Sequence, residues 1–417
     1  MKLSKPNQLL AVSFLGLAAA GLLTGCQLIT ADYVFVAGSA GSGSSSSGTI
    51  AIFAADSESG ALRTVVASAS SGGTNPVSMA ITTNYQNLYV ANQGSSNVVH
   101  FTIANSGELS QKDVVTLSSE GSSPVALAVN SAGTRLYVVS ANYPGKVAGA
   151  ALSVFALNSD GAIGSPVANG SKDYWPLTVP GFETDLIVPT GVTVTANNGA
   201  VYVTAFDQSA YNPGGTATST ANPGWVFGFD AGTGSGLSAA AGSPYQAGVK
   251  PTGVKTDPTN RFAYVTDYAS NELIGYSIQS GYTLKFLVNG PFKTGNEPLA
   301  LAIDPRGKYI YVANALDSSV SAFAIDLGTG TPSAAVNTTG SSTNSTDTQP
   351  VAILVDPALG RFVYTANYLG DSVSGFRLNP NTGTLASTQS GPYPANASPT
   401  ALAAVPHGAH SVEAVSP

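Results

Sequence analysis

The stretch PLALAIDPRGKYIYVANALDSSVSAFAID, residues 298–326, decides the fold. Leu299 to Ile303 is a short apolar run, too continuous for a half-exposed strand and suited to one buried on both faces. Asp304-Pro305-Arg306-Gly307 then reads as a turn, in which proline presets one dihedral and glycine supplies a positive φ. Tyr309 to Ala313, rich in aromatic and β-branched residues, is a second strand. Asn314 to Ser318 turns again, and Val320 to Ile325 alternates apolar and small residues as a third strand. A fourth, weaker strand should complete the unit.

The same frame recurs along the chain. Pro76 and Tyr89, Pro124 and Tyr137, Pro189 and Tyr202, Pro251 and Tyr264, and Pro298 and Tyr311 all stand thirteen residues apart. Pro350 and Tyr364 repeat it with one residue more, and Pro399 opens a seventh proline strand. Self-similarity at roughly 40–50 residues marks propellers and solenoids, because one unit cannot bury its apolar faces alone. With no helix signal and four short antiparallel strands per unit, each repeat is a propeller blade. Third-strand aromatics recur at Phe53, Phe101, Phe155, Phe229, Tyr276, Phe323 and Phe376, one for each of seven blades. The first copy lacks its proline strand and starts at Tyr33, whereas Pro399 to Val405 has little after it. The expected fold is all-β: a seven-bladed propeller spanning residues 33–406, in which this strand joins residues 33–70 and seals the ring. Residues 407–417 form a tail, although Ser411 to Val415 could imitate a second strand.

Composition narrows the partners. Only 9% of the 417 residues are charged and the net charge is −7, with sixteen scattered Lys and Arg. That excludes an electrostatic nucleic-acid binder. Lys2 and Lys5 precede an apolar run from Leu9 to Leu23, of signal-peptide length and short for a membrane span. Leu23-Thr24-Gly25-Cys26 follows, and Cys26 is the single cysteine. This resembles the bacterial lipoprotein signal. The resemblance implies a signal peptide over 1–25, a lipid on Cys26 as the membrane partner, and a linker over 26–32. With Gln27 rather than Asp after the cysteine, it also implies outer-membrane attachment, facing the periplasm or the cell surface. A single thiol allows neither a disulfide nor a cysteine-ligated metal, and no cofactor is expected. The ring is expected to be a monomer.

The blades are unequal. A long loop runs from Phe206 to Gly224, and the approach to Pro189 is expanded through Lys172 to Pro176 and Phe182 to Asp185. In a propeller, the loop between strands two and three and the link between blades emerge on one face. Both insertions should overhang that face beside the channel. The same face collects a polar ring: Asn92, Ser140, Asp267, Asn314 and Asn367 stand third after the repeat tyrosine, with Asn142 and Asp207 nearby. Tyr143, Phe206, Tyr268 and Tyr368 interleave. Amides, carboxylates and ring faces around a concave mouth suit a sugar, a lactone or another neutral polar ligand. Equally, Asn and Asp after a strand are ordinary turn formers that bond their own backbone. Asp207 and Asp267 are the catalytic candidates; Asn92, Asn142, Tyr143, Asp207, Asp267, Tyr268, Asn314, Asn367 and Tyr368 are the candidate ligand contacts.

Repeated Tyr-Val strands after a proline strand resemble the YVTN-repeat propellers, and most nearly the lactonase family that includes the bacterial 6-phosphogluconolactonases. The resemblance covers nearly all of residues 33–406 and implies the fold. Its members carry Pro-Arg-His at the start of a blade and Asn-Glu after the tyrosine strand. Pro298, Pro305, Gly307, Tyr311 and Asn314 fit that frame, but Leu299, Ala300 and Ala315 stand where Arg, His and Glu are expected. Lactone hydrolysis needs a water-activating group and an oxyanion stabiliser, and a phosphorylated substrate wants Arg or Lys. Three histidines could replace what is missing. His100 lies in a third strand and reads as a wall or surface residue. His407 and His410 read as turn residues, without a third ligand for a metal. The sequence thus favours a binding platform in the cell envelope, for a sugar, lactone or envelope protein, over a lactonase-type hydrolase with a rearranged site.

Overall fold

In each repeat the proline strand pairs with the tyrosine strand, and the tyrosine strand with the aromatic strand. Pro298–Ile303 lies antiparallel to Tyr309–Asn314, which lies antiparallel to Ser319–Ile325. The turn between the first two is held by Asp304, buried completely, whose Oδ1 accepts the N–H groups of Lys308 at 2.6 Å and Tyr309 at 2.8 Å. Gly307 has φ of 69°, as the turn requires. Asp257 and Asp356 hold the corresponding turns in the same way. The fourth strand comes as two short pieces, Pro332–Ala334 and Thr343–Ser345, both paired to Ser319–Ile325.

The computed structural model describes residues 29–39, 47–118, 121–143, 149–183, 185–211, 223–232, 236–337 and 339–408. The signal segment, Cys26, residues 411–415 and most of the loop after Phe206 lie outside the described residues. Seven antiparallel sheets form the ring. Blade 1 comprises Thr30–Ser39, Ser47–Asp56 and Leu62–Thr74; blades 2 to 7 open at Pro76, Ser122, Ile187, Pro251, Pro298 and Pro350. Ala397–Pro406 pairs with Thr30–Ser39, Val36 facing Leu402, and completes blade 1. Ring closure is therefore as the sequence implies. The first strand starts at Thr30 rather than Tyr33 and its closing pairing at Asp32, which lies in the interior, fully buried. The one helical turn among the described residues is Ser280–Tyr282, and no helix there is long and apolar enough to cross a membrane.

The core lies between blades rather than within them. Phe262, Tyr264 and Leu273 of blade 5, for example, pack on Leu301, Ile310 and Val312 of blade 6. The third-strand aromatics are all buried. The repeat tyrosine is a bolt across this interface. Tyr264 Oη donates to the Gly330 carbonyl of the next blade at 2.7 Å, Tyr311 to Gly383 at 2.9 Å and Tyr364 to Gly60 at 2.8 Å. Tyr89 and Tyr202 do likewise, to Gly161 at 2.5 Å and Tyr282 at 2.8 Å. The receiving glycines need their lack of a side chain. Gly330 and Gly383 have φ of 76° and 74°, and a Cβ there would run into the rings of Phe262 and Tyr309.

Candidate functional site

The polar ring forms at the ends of the tyrosine strands, but its members turn into the blades. Asn92, Asn314, Asn367 and Asp267 are completely buried, and Ser140 and Asp207 nearly so. Asn314 Nδ2 donates to Ser319 Oγ at 3.0 Å and Ser321 Oγ at 2.9 Å, and Asn367 repeats the pattern on Ser372 and Ser374. Asn92 bonds Ser71 and Asn97. Asp267 accepts the N–H groups of Val249 at 2.8 Å and Lys250 at 2.9 Å, and Asp207 that of Ser209 at 2.8 Å. These side chains close turns and tie strand ends. Of the remaining candidates, Asn142, Tyr143 and Tyr268 are half-buried and Tyr368 is exposed. Tyr143 stacks on Tyr174 with ring centroids 5.1 Å apart, so the blade 3 loop meets the expanded approach to blade 4.

The central channel, a cavity of about 220 Å³, is walled by the proline strands. The residue after each repeat proline lines it: Val77, Val125, Thr190, Thr252, Leu299, Val351 and Thr400. The three threonines donate to the carbonyl of the next blade's proline, Thr190 to Pro251 at 2.8 Å, Thr252 to Pro298 at 2.9 Å and Thr400 to Pro76 at 2.6 Å. The slot in which the family pattern has arginine thus holds apolar residues or inter-blade fasteners. Lys255 is the one charged residue of the channel lining. It is open to channel water yet walled by protein, and this desolvation lowers its pKa.

Lys250 and Glu297 join Tyr268 and Phe206 of the sequence pattern in a group beside the mouth between blades 4 and 6. Lys250 and Glu297 occupy equivalent slots, each directly before a repeat proline. Lys250 Nζ lies over the rings of Tyr268 at 4.3 Å, Tyr211 at 5.0 Å and Phe206 at 5.4 Å. Burial lowers its pKa, and the charge of Glu297 opposes this. Tyr268 is pushed up to about 12 by burial, by a hydrogen bond to Glu297 and by that carboxylate's charge. Glu297 is positioned by its backbone: φ of 55°, with its N–H donating to Asn271 Oδ1 at 2.8 Å. The pre-proline slot carried the signal for Lys250, because two consecutive repeats put opposite charges there.

The two described histidines are structural. His100 is buried; its Nδ1 lies 2.6 Å from Asp113 Oδ1 and its Nε2 2.8 Å from Asn87 Oδ1, with the ring stacked on Tyr89. Asp113 Oδ2 also accepts the Ile163 N–H of blade 3, so the pair fastens two blades. His407 packs edge-on against Tyr33, and its N–H donates to the Ala31 carbonyl. His410 lies outside the described residues. Among the described residues no group of three or more His, Cys, Asp or Glu could hold a metal ion.

Seven four-stranded blades, a proline-strand channel and a tyrosine bolt between blades define a seven-bladed β-propeller. The chain belongs to the family described as lactonase, 7-bladed β-propeller, whose pattern matches residues 28–116 and 237–410. No curated protein sequence matches it. Among solved structures it is similar to a candidate 6-phosphogluconolactonase from Bacteroides uniformis, at 17% identity over 90% of this chain and 100% of that one, with a TM-score of 0.69. It is similar, too, to PpgL, a periplasmic gluconolactonase of Pseudomonas aeruginosa, at 18% identity over 90% and 99%, with a TM-score of 0.67. Hydrazine synthase of Kuenenia stuttgartiensis also shares the architecture, at 15% identity over 79% and 92%, with a TM-score of 0.53. At these identities the likeness shows the fold alone.

Proposed function

We propose that this propeller is an exported platform, held to the outer membrane by a lipid on Cys26, that binds a small polar ligand or an envelope protein without hydrolysing it. Removal of residues 1–25, a linker over 26–32, a monomeric ring and no role for nucleic acid belong to the same reading. The observation that carries it is the filling of the channel mouth. Leu299 and Ala300 line the channel in place of Arg and His, Ala315 is buried where Glu is expected, and the threonines are spent on inter-blade bonds. Asp267 accepts backbone N–H groups on both oxygens and Asp207 on Oδ1, which leaves neither as a free base at the channel. The periplasmic gluconolactonase of similar fold accords with export.

A second reading, lactone hydrolysis, is favoured by Glu297 beside Tyr268 and Lys250, since a carboxylate base and a nearby cation are what the reaction asks for. Both readings meet in one assay: hydrolysis of gluconolactone and 6-phosphogluconolactone by the chain beginning after Cys26. The platform reading expects no turnover above the spontaneous rate from protein with a cooperative melt. Turnover lost in Glu297→Gln would replace it with the hydrolase. Labelled fatty acid incorporated by the full chain, and absent from Cys26→Ser, is the expected outcome for the anchor.

A further inference from the structure

A second cavity, of about 500 Å³, lies over blade 4 away from the channel. That is within the roughly 300–1,000 Å³ of small-molecule sites. The two insertions build it: Phe182 and Asp185 come from the expanded approach to the blade, Asp207 and Ser209 from the end of the tyrosine strand, and Trp225 from the start of the aromatic strand. Gln246, on the outer piece paired to Trp225, completes the wall. The frame is well tied. Asp207 Oδ1 accepts the Ser209 N–H at 2.8 Å, Ser209 Oγ accepts the Leu186 N–H at 3.1 Å, and the Gln246 carbonyl accepts Tyr276 Oη at 2.5 Å.

The chemistry of the wall specifies an occupant. Phe182 is 49% exposed and Trp225 half-buried, so two large aromatic rings remain uncovered beside the cavity. Lining the cavity with them are acceptors: the Asp185 and Asp207 carboxylates, the Ser209 hydroxyl and the Gln246 amide, the last beside Trp225 on the paired strand. Gln246 Oε1 is buried with no hydrogen-bond partner among the described residues. An orphaned buried acceptor is costly, and the cost is removed when the side chain meets a donor. Several hydroxyl donors on a ring with an apolar face satisfy both halves of this wall. The carboxylates of Asp185 and Asp207 disfavour an anion, which sets this pocket against a phosphorylated sugar. We infer that the blade 4 cavity is a binding site for a neutral hexopyranose, free or at the end of a glycan. This inference stands whether or not the channel face is catalytic.

The test is calorimetric titration of the full chain with glucose, galactose and mannose and with a trisaccharide of each, followed in parallel by tryptophan fluorescence. The chain has two tryptophans, and Trp175 is buried with its indole N–H on the Leu237 carbonyl, so a ligand-induced change reports Trp225. Saturable binding of at least one sugar at or below about 10 mM is expected, weakened about tenfold or more by Trp225→Ala and about fivefold by Gln246→Leu. Trp225→Phe, which keeps a ring, should stay within about threefold. A trisaccharide bound more tightly than its monosaccharide identifies a glycan end, and equal binding a free sugar. No saturable binding by protein with the wild-type melt, binding indifferent to both substitutions, or tighter binding of choline than of any sugar would overturn the inference.

Discussion

Blades 5 to 7 and blades 3 and 4 have the same strand order, yet they are different kinds of protein surface. In blades 5 to 7 the proline-to-tyrosine frame is followed by short turns, and the family pattern runs through them. Residues 117–236, which hold blade 3 and most of blade 4, fall outside that pattern. There the links lengthen, Tyr143 meets Tyr174, and the 500 Å³ cavity opens. The interface between these two blades also gathers an extra layer, with Trp175, Leu177, Val179 and Ile187 packed on Val201, Val203 and Phe227. Family identity is thus written in the residues that fasten blades together. What distinguishes this chain is written in the residues that have no counterpart in the other blades.

The comparison makes a strong demand on the regular half. Tyr311→Ala should cost about 3–5 kcal/mol in chemical denaturation, because a ring buried between blades leaves a cavity. Tyr311→Phe should cost about 1–3 kcal/mol, for the orphaned Gly383 carbonyl. Trp225→Ala, on the irregular half, should cost about 1 kcal/mol while weakening sugar binding about tenfold or more. Equal costs for the two alanine variants would break the contrast.

At the seam between blades 7 and 1 the expected effect depends on pH. Asp32 is held well above the usual carboxylate range, first by burial and then by the charge of Asp356, and its Oδ2 has no partner among the described residues. Stabilisation tied to its neutral form is complete below the ordinary carboxylate value of about 3.9 and is lost as pH rises through the raised one. Asp32→Asn should therefore melt close to wild type near about pH 4 and progressively above it as the pH rises through the raised value. A constant offset across that range would show that the buried carboxyl is not the titrating group. The smallest effect belongs to the channel: Thr252→Val should cost about 0.5–1.5 kcal/mol, the range of one hydrogen bond. Val77, Val125 and Val351 already occupy that slot, so a larger loss would mark Thr252 as more than a fastener.

Blade number, strand order and closure were legible because they follow from local repeats. Pro298, Gly307, Tyr311 and Phe323 each state a backbone or packing need within thirty residues of chain. The polar ring was legible as a ring but not as an interior. Asn314 is buried by serines of the next strand, and Asp267 is capped by the N–H groups of Val249 and Lys250 from the preceding link. Nothing in the residues themselves separates a mouth-facing amide from one turned inward. The blade 4 cavity was visible only as two insertions on one face. Its acceptors come from three segments, at Asp185, at Asp207 and Ser209, and at Gln246, and only the folded sheet brings them into one cavity with the Trp225 ring.

The strand that completes blade 1 has a consequence in time. Thr400 bonds the Ala37 carbonyl across 363 residues of sequence, so blade 1 waits with an open edge until every other blade has been made. A chain threaded N-terminus first through a membrane would hold that edge exposed throughout its passage, the interval in which unpaired strands are most prone to join the wrong neighbour. Folding should therefore be slow in the final step and sensitive to chaperones that shield strand edges. A single late contact would then report that the whole ring has arrived.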